Sequence, residues 1–126
     1  PDEEDTGGAA CHHVWNCSQA GALVASVLKG DVAGLGKALS SDDIVEPRRA
    51  PLIPGMEAVK RAAILLGAFG CTISGAGPTS LAVIDNEQTA HLIPQHMIHS
   101  FLKEANLTAS SIVKQLDRLG ARRILN

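Results

Sequence analysis

Gly67-Ala68-Phe69-Gly70-Cys71-Thr72-Ile73-Ser74-Gly75-Ala76-Gly77-Pro78-Thr79 is the stretch on which the fold of this chain turns. Ala68 to Ile73 reads as a strand, and Ser80-Leu81-Ala82-Val83-Ile84 reads as another. Between them stand six residues, Ser74-Gly75-Ala76-Gly77-Pro78-Thr79. Two glycines there remove Cβ atoms, so backbone N–H groups can approach an anion closely. Pro78 stiffens the exit, and Ser74 and Thr79 add hydroxyls. An anion cradle for phosphates and a plain tight turn between strands both satisfy this pattern. A Walker loop is excluded, because no Gly-Lys-Ser/Thr follows at the right spacing. A Gly-x-Ser-x-Gly elbow is excluded too, because Thr72 stands where its first glycine belongs.

Working outward, the flanking segments alternate helix and break. Met56 to Leu66 is helical, with Met56, Val59, Ala63 and Leu66 inward and Gly67 as its C-cap. Downstream, a helix runs from the Asp85–Gln88 turn to about Ala105. Pro94 lies inside it, which predicts a kink or a restart there. Ser111 to Leu116 and Ala121 to Leu125 are predicted strands, with Gly120 as a turn between them. Upstream, apolar residues recur at three- and four-residue steps from His13 to Lys29, and Gly30 stops that helix. Asp31 caps a second one carrying Val32, Leu35, Ala38 and Leu39. Glu46-Pro47-Arg48-Arg49-Ala50-Pro51-Leu52-Ile53-Pro54-Gly55 is proline-rich and predicts a braced connector, not a helix. Helices grouped around mostly sequential strands give an α+β fold, with an antiparallel β-sheet on one side packed against helices on the other.

Composition sets the outer bounds. With 126 residues, 45% hydrophobic and 19% charged, the chain suits one folded domain and not wholesale disorder. Residues 1–11 are acidic, then Gly/Ala-rich, and predict a flexible lead-in to a domain over 12–126. Without an initiator Met, the start reads as processed or internal to a longer chain. No apolar run reaches the ~18 residues of a membrane span, so no membrane partner is expected. Net charge is −2, and Phe, Trp and Tyr total three. A nucleic-acid partner wants a basic face and stacking aromatics, so none is expected. Three cysteines without a Cys-x-x-Cys pair read as free thiols in a reducing compartment. In that light Asn16-Cys17-Ser18 and Asn106-Leu107-Thr108 are chance glycosylation patterns. Cys11, His12, His13 and Cys17 match no standard zinc spacing, and His91, His96 and His99 read as surface residues, so no metal site is assigned. Trp15 and Cys17 are expected in the core.

Arg48 and Arg49 complete the candidate chemistry. An arginine on a proline-braced segment suits a carboxylate or phosphate, because the guanidinium fork binds bidentately. A solvated or salt-bridged pair, with Glu46 as partner, fits the same residues.

The stretch from Gly67 to Thr79 resembles the third conserved motif of the GHMP kinases, which include galactokinase, homoserine kinase, mevalonate kinase and phosphomevalonate kinase. Ser40 to Gly55 resembles the homoserine kinase segment built on Glu-Pro-x-Arg. His13-Val14-Trp15-Asn16-Cys17-Ser18-Gln19-Ala20 is similar to the helix opening the C-terminal domain of plant-type homoserine kinases. The resemblance covers about residues 12–125. It implies a ferredoxin-like α/β plait and ATP-dependent phosphorylation of the L-homoserine hydroxyl in threonine biosynthesis. It places Arg49 on the substrate carboxylate and Ser74 to Thr79, that is Ser74, Gly75, Ala76, Gly77, Pro78 and Thr79, beside the ATP phosphates.

It further implies Mg²⁺, held mainly by an N-terminal domain, and a homodimer. The location implied is the chloroplast, or the cytoplasm for a bacterial source. The departures are plain. The family's Pro-x-x-x-Gly-Leu-Gly-Ser-Ser loop is not among these residues, nor is an upstream substrate arginine. Asp2 to Ala10 matches nothing in the family, and Pro94 replaces a usually small residue. These 126 residues alone are therefore expected to be inactive. A stand-alone domain with a binding or dimerisation role is the alternative.

Overall fold

The computed structural model describes residues 6–124. Helix α1 spans Thr6–Lys29, α2 Val32–Leu39, α3 Glu46–Arg49, α4 Met56–Leu65 and α5 Glu87–Ala105. A short 3-10 turn, Ala50–Leu52, follows α3. Strands β1, Gly70–Ile73, and β2, Ser80–Val83, form an antiparallel hairpin in the register Gly70↔Val83, Cys71↔Ala82, Thr72↔Leu81, Ile73↔Ser80. The architecture is α+β, with helices packed on an antiparallel sheet.

Local chemistry sets the element ends. Gly30 takes φ +69°, which stops α1, and the Asp31 carboxylate then accepts the Gly34 amide at 2.9 Å to open α2. Asn86 opens α5 in the same way, through the Thr89 amide at 2.9 Å. Asn106, at φ 53°, closes it.

The core lies where α4, α5 and the hairpin meet. Ala50, Met56, Val59 and Phe101 form one buried cluster, and Ala63, Ala68, Cys71 and Ile93 another. Met97 packs against both and joins them. Burying each of Met56, Val59 and Ile93 contributes about 1.5–3 kcal/mol relative to exposure. On the other side of the hairpin α2 crosses β1 at Gly36 and Gly70. A Cβ on either glycine would strike backbone of the opposing element. Ser40, just past α2, accepts the Cys71 amide through its hydroxyl at 3.0 Å.

Several expectations change. The lead-in expected over residues 1–11 is helical from Thr6, and residues 1–5 lie outside the described ones. The proline-rich connector contains α3 and the 3-10 turn. Pro47 and Pro51 sit in their first turns, where a missing N–H is harmless. Helix α5 runs without interruption through Pro94, past its first turn, so no restart occurs there. Its contacts with α4, including buried Ile93 and Met97, hold the helix across the missing hydrogen bond.

The strands expected at Ser111–Leu116 and Ala121–Leu125 do not form among the described residues, and Leu125 lies outside them. Residues 110–124 are exposed throughout. β-propensity is realised only against a paired edge and a buried face, and this segment has neither. Trp15 and Cys17 are exposed, not core. The Trp15 indole N–H instead donates to the Ser41 carbonyl at 2.9 Å, docking α1 beside the segment that precedes α3.

Candidate functional site

The hairpin presents residues 74–79 as its connecting loop. The Ser74 amide donates to the Thr79 carbonyl at 2.8 Å, and the Gly77 amide donates to the Ser74 carbonyl at 3.1 Å. Gly75 and Gly77 have φ of +60° and +84°, a region that side chains disfavour. A Cβ on Gly77 would lie 2.7 Å from Ile53 Cδ1 and 3.3 Å from Ile73 Cγ2, so the loop rests directly on the end of the 3-10 turn. Among the described residues the amides of Gly75 and Ala76 donate to no group of the chain. They are the donors available for an anion.

Arg49 comes to this loop from α3. Its Nη1 donates to the Gly75 carbonyl at 3.3 Å. One of the five guanidinium N–H groups is thereby engaged, and the exposed side chain keeps the others. The structure thus joins two segments that the sequence separates by 26 residues. Arg48 is also exposed and has no ion-pair partner among the described residues. The expected Glu46 partnership goes elsewhere. Both Glu46 carboxylate oxygens lie 2.6 and 2.7 Å from Lys60 Nζ, in a mostly buried pair that pins α3 to α4.

The sequence marks Ser40-Ser41-Asp42-Asp43 only as a break or a new cap, and the structure gives the cap to Asp42. Its Oδ1 accepts the amides of Ile44 at 2.9 Å and Val45 at 3.0 Å, and its Oδ2 accepts that of Glu46 at 2.9 Å. Asn16 Nδ2 donates to the same Oδ1 at 2.6 Å. Partial burial pushes the Asp42 carboxyl up. The Val45, Ile44, Asn16 and Glu46 hydrogen bonds outweigh it and hold the carboxyl at about 2. An acidic residue four positions before Glu46-Pro47 was the available signal, since Asp favours helix entrances. Asn16 carried no local signal, because its partner lies 26 residues away.

The expected histidine and cysteine positions do not converge. His13 Nε2 and Cys17 Sγ are 3.7 Å apart on the exposed surface of α1. Among the described residues no three His, Cys, Asp or Glu side chains group as metal ligands. No described helix is long and apolar enough to cross a membrane.

The fold is thus a helix-covered antiparallel hairpin whose glycine loop is met by an arginine from α3. Residues 18–103 match the family model described as GHMP kinases C terminal, and the chain belongs to that family. Its relatives are more particular. It is 65% identical over 111 residues to a homoserine kinase of Arabidopsis thaliana, covering 88% of this chain and 30% of that protein. It is 45% identical over 103 residues to a homoserine kinase of Chlorobium phaeovibrioides, covering 81% and 32%. The crystal structure of homoserine kinase from Cytophaga hutchinsonii superposes with a TM-score of 0.69 at 38% identity, covering 80% of this chain and 30% of that one. The chain therefore spans about a third of the length of the curated relatives it matches.

Proposed function

We propose that these residues form the C-terminal part of a homoserine kinase. The observation that carries this is the Arg49–Gly75 contact, which brings an arginine side chain beside a loop with unengaged amides. The homoserine kinase relatives support it. The reaction moves the γ-phosphoryl group of ATP to the hydroxyl of L-homoserine, giving O-phospho-L-homoserine and ADP. Phosphoryl transfer needs mainly positioning and charge stabilisation.

In this reading the Arg49 guanidinium grips the homoserine α-carboxylate and fixes which end of the substrate faces the nucleotide. The amides of Gly75 and Ala76 approach the ATP phosphates, an approach that the two positive-φ glycines permit. The Mg²⁺ that accompanies ATP belongs to the same proposal, held mainly by an N-terminal domain of the kinase. A role in threonine biosynthesis, a homodimeric enzyme, and a plastid location for a plant source belong to the same proposal. Cytoplasm is the corresponding location for a bacterial source.

Kinetics of the complete kinase carrying this domain provide the test. Arg49→Ala should raise the KM for homoserine by roughly tenfold or more, as expected for a charge-assisted hydrogen bond, and leave the KM for ATP nearly unchanged. An equal rise in both would refute the carboxylate role. The 126 residues alone, which hold no Pro-x-x-x-Gly-Leu-Gly-Ser-Ser segment, should form no phosphohomoserine.

A binding or dimerising domain is the second reading. Exposed apolar side chains favour it, notably Leu28 and Val14 on α1 and Leu116 in the C-terminal segment. Size exclusion of the chain, with calorimetry against L-homoserine, separates the two. Self-association without homoserine affinity supports the second reading.

A further inference from the structure

We propose that Asn16 and Asp42 are positioning residues for Arg49, and that together they set where its guanidinium stands beside the glycine loop. The proposal rests on the reading of Arg49 as the carboxylate clamp. Helix α3 has only four residues, far below the length at which a helix holds itself together. Val45 precedes it and contributes no side-chain cap. The cap comes from Asp42, whose carboxylate receives three successive amides, those of Ile44, Val45 and Glu46.

Asp42 is itself held by Asn16 of α1, which works in both directions. Asn16 Nδ2 donates to Asp42 Oδ1 at 2.6 Å, and Asn16 Oδ1 accepts the Asp43 amide at 3.1 Å. The turn so fixed continues directly to the arginine. The Val45 carbonyl accepts the amides of Arg48 at 3.2 Å and Arg49 at 3.0 Å. Beyond it, Ala50 is buried in the core cluster with Met56, Val59 and Phe101. Arg49 therefore leaves a turn anchored at both ends, and its Nη1 reaches the Gly75 carbonyl. Neither Asn16 nor Asp42 hydrogen-bonds Arg49 or residues 74–79, so both act through the backbone of α3.

The test has two arms. In the 126-residue chain, arginine side-chain NMR resolves the Arg49 guanidinium signals, assigned with Arg49→Lys. Asn16→Ala should release them toward those of a freely rotating arginine, while the amide signals of Gly70 to Ile73 stay in place. Arg49 signals unchanged in Asn16→Ala overturn the proposal. If that variant does not fold, Asn16→Ser supplies the same readout, since its hydroxyl cannot span to both partners.

In the complete kinase, Asn16→Ala should raise the homoserine KM roughly five- to tenfold with little change for ATP. In an Arg49→Ala background it should add nothing further. A full additive effect there overturns the proposal, because Asn16 would then act by another route. If Arg49→Ala itself leaves the homoserine KM unchanged, the clamp reading fails, and the NMR arm still decides the positioning role.

Discussion

The crossing of α2 over β1 makes the same substitution act with opposite sign at two helical glycines. Gly21 lies on exposed α1, and a Cβ there meets nothing within 4 Å. Gly21→Ala should therefore recover the helix propensity that glycine forgoes, about 1 kcal/mol. Gly36 is buried in α2, and its Cβ would run into the carbonyl carbon and oxygen of Phe69, with Phe69 Cβ at 2.6 Å. The nearest of these atoms are backbone, so no rotamer change relieves the contact, and α2 must back away from the hairpin. Overpacking of this kind costs about 3 kcal/mol, the upper end for a single methyl forced against fixed atoms. Set against the gain of about 1 kcal/mol in propensity, the net loss is about 2 kcal/mol. At about 4 °C per kcal/mol for a chain of this size, Gly36→Ala should lower Tm by about 8 °C and Gly21→Ala should raise it by about 4 °C. Circular-dichroism melts of the two variants beside the parent protein measure both. A Gly36→Ala protein as stable as the parent, or more so, would refute the close crossing and the helix–hairpin packing drawn from it.

Three further outcomes are expected. The Asp42 carboxyl, held at about 2 when folded against 3.8 unfolded, contributes stability that is fully present above about pH 4 and lost as pH falls toward 2. Asp42→Asn should flatten that part of a stability–pH profile from denaturant melts, and an unaltered profile would contradict the capping role. Lys60→Met leaves the mostly buried Glu46 carboxylate without its partner and should cost about 3 kcal/mol at neutral pH. Chemical denaturation of the variant beside the parent protein checks it. Burial pushes the Cys71 thiol up to about 11, with Glu46 adding and Lys60 subtracting, whereas Cys11 and Cys17 are exposed. At pH 8 a maleimide should label two thiols rapidly, and the third should react only on unfolding. Three equally fast labels in mass spectrometry would contradict the burial of Cys71.

Much of the chain was legible in one dimension because its signals are local. Gly30 and Asp31 end one helix and begin the next through their own backbone angle and side chain, within a few residues. Ile73 and Ser80 bracket a loop whose glycines announce a turn. The periodic Met56, Val59 and Ala63 mark a buried face that the structure places wholly inside. The loop and Arg49 were visible as residue types suited to anions, although nothing local said that they meet.

What the sequence could not decide was pairing over distance. Ser111 to Leu116 has the composition of a strand, yet a strand exists only where another edge accepts its hydrogen bonds, and none does so among the described residues. Trp15 has the composition of a core residue, but the surface of α1 that carries it faces the Ser41 carbonyl and solvent. Pro94 looked like a break because propensity counts the lost hydrogen bond and not the packing of α5 on α4. Asn16 and Asp42 became a unit only when α1 folded back across 26 residues. Side-chain type, helix limits and the glycine turn follow from short-range sterics and hydrogen bonding, and these the sequence by itself determined. The closeness of Gly36 to Gly70, the bridge from Asn16 to Asp42 and the meeting of Arg49 with Gly75 depend on how completed elements pack. That was left to the tertiary structure.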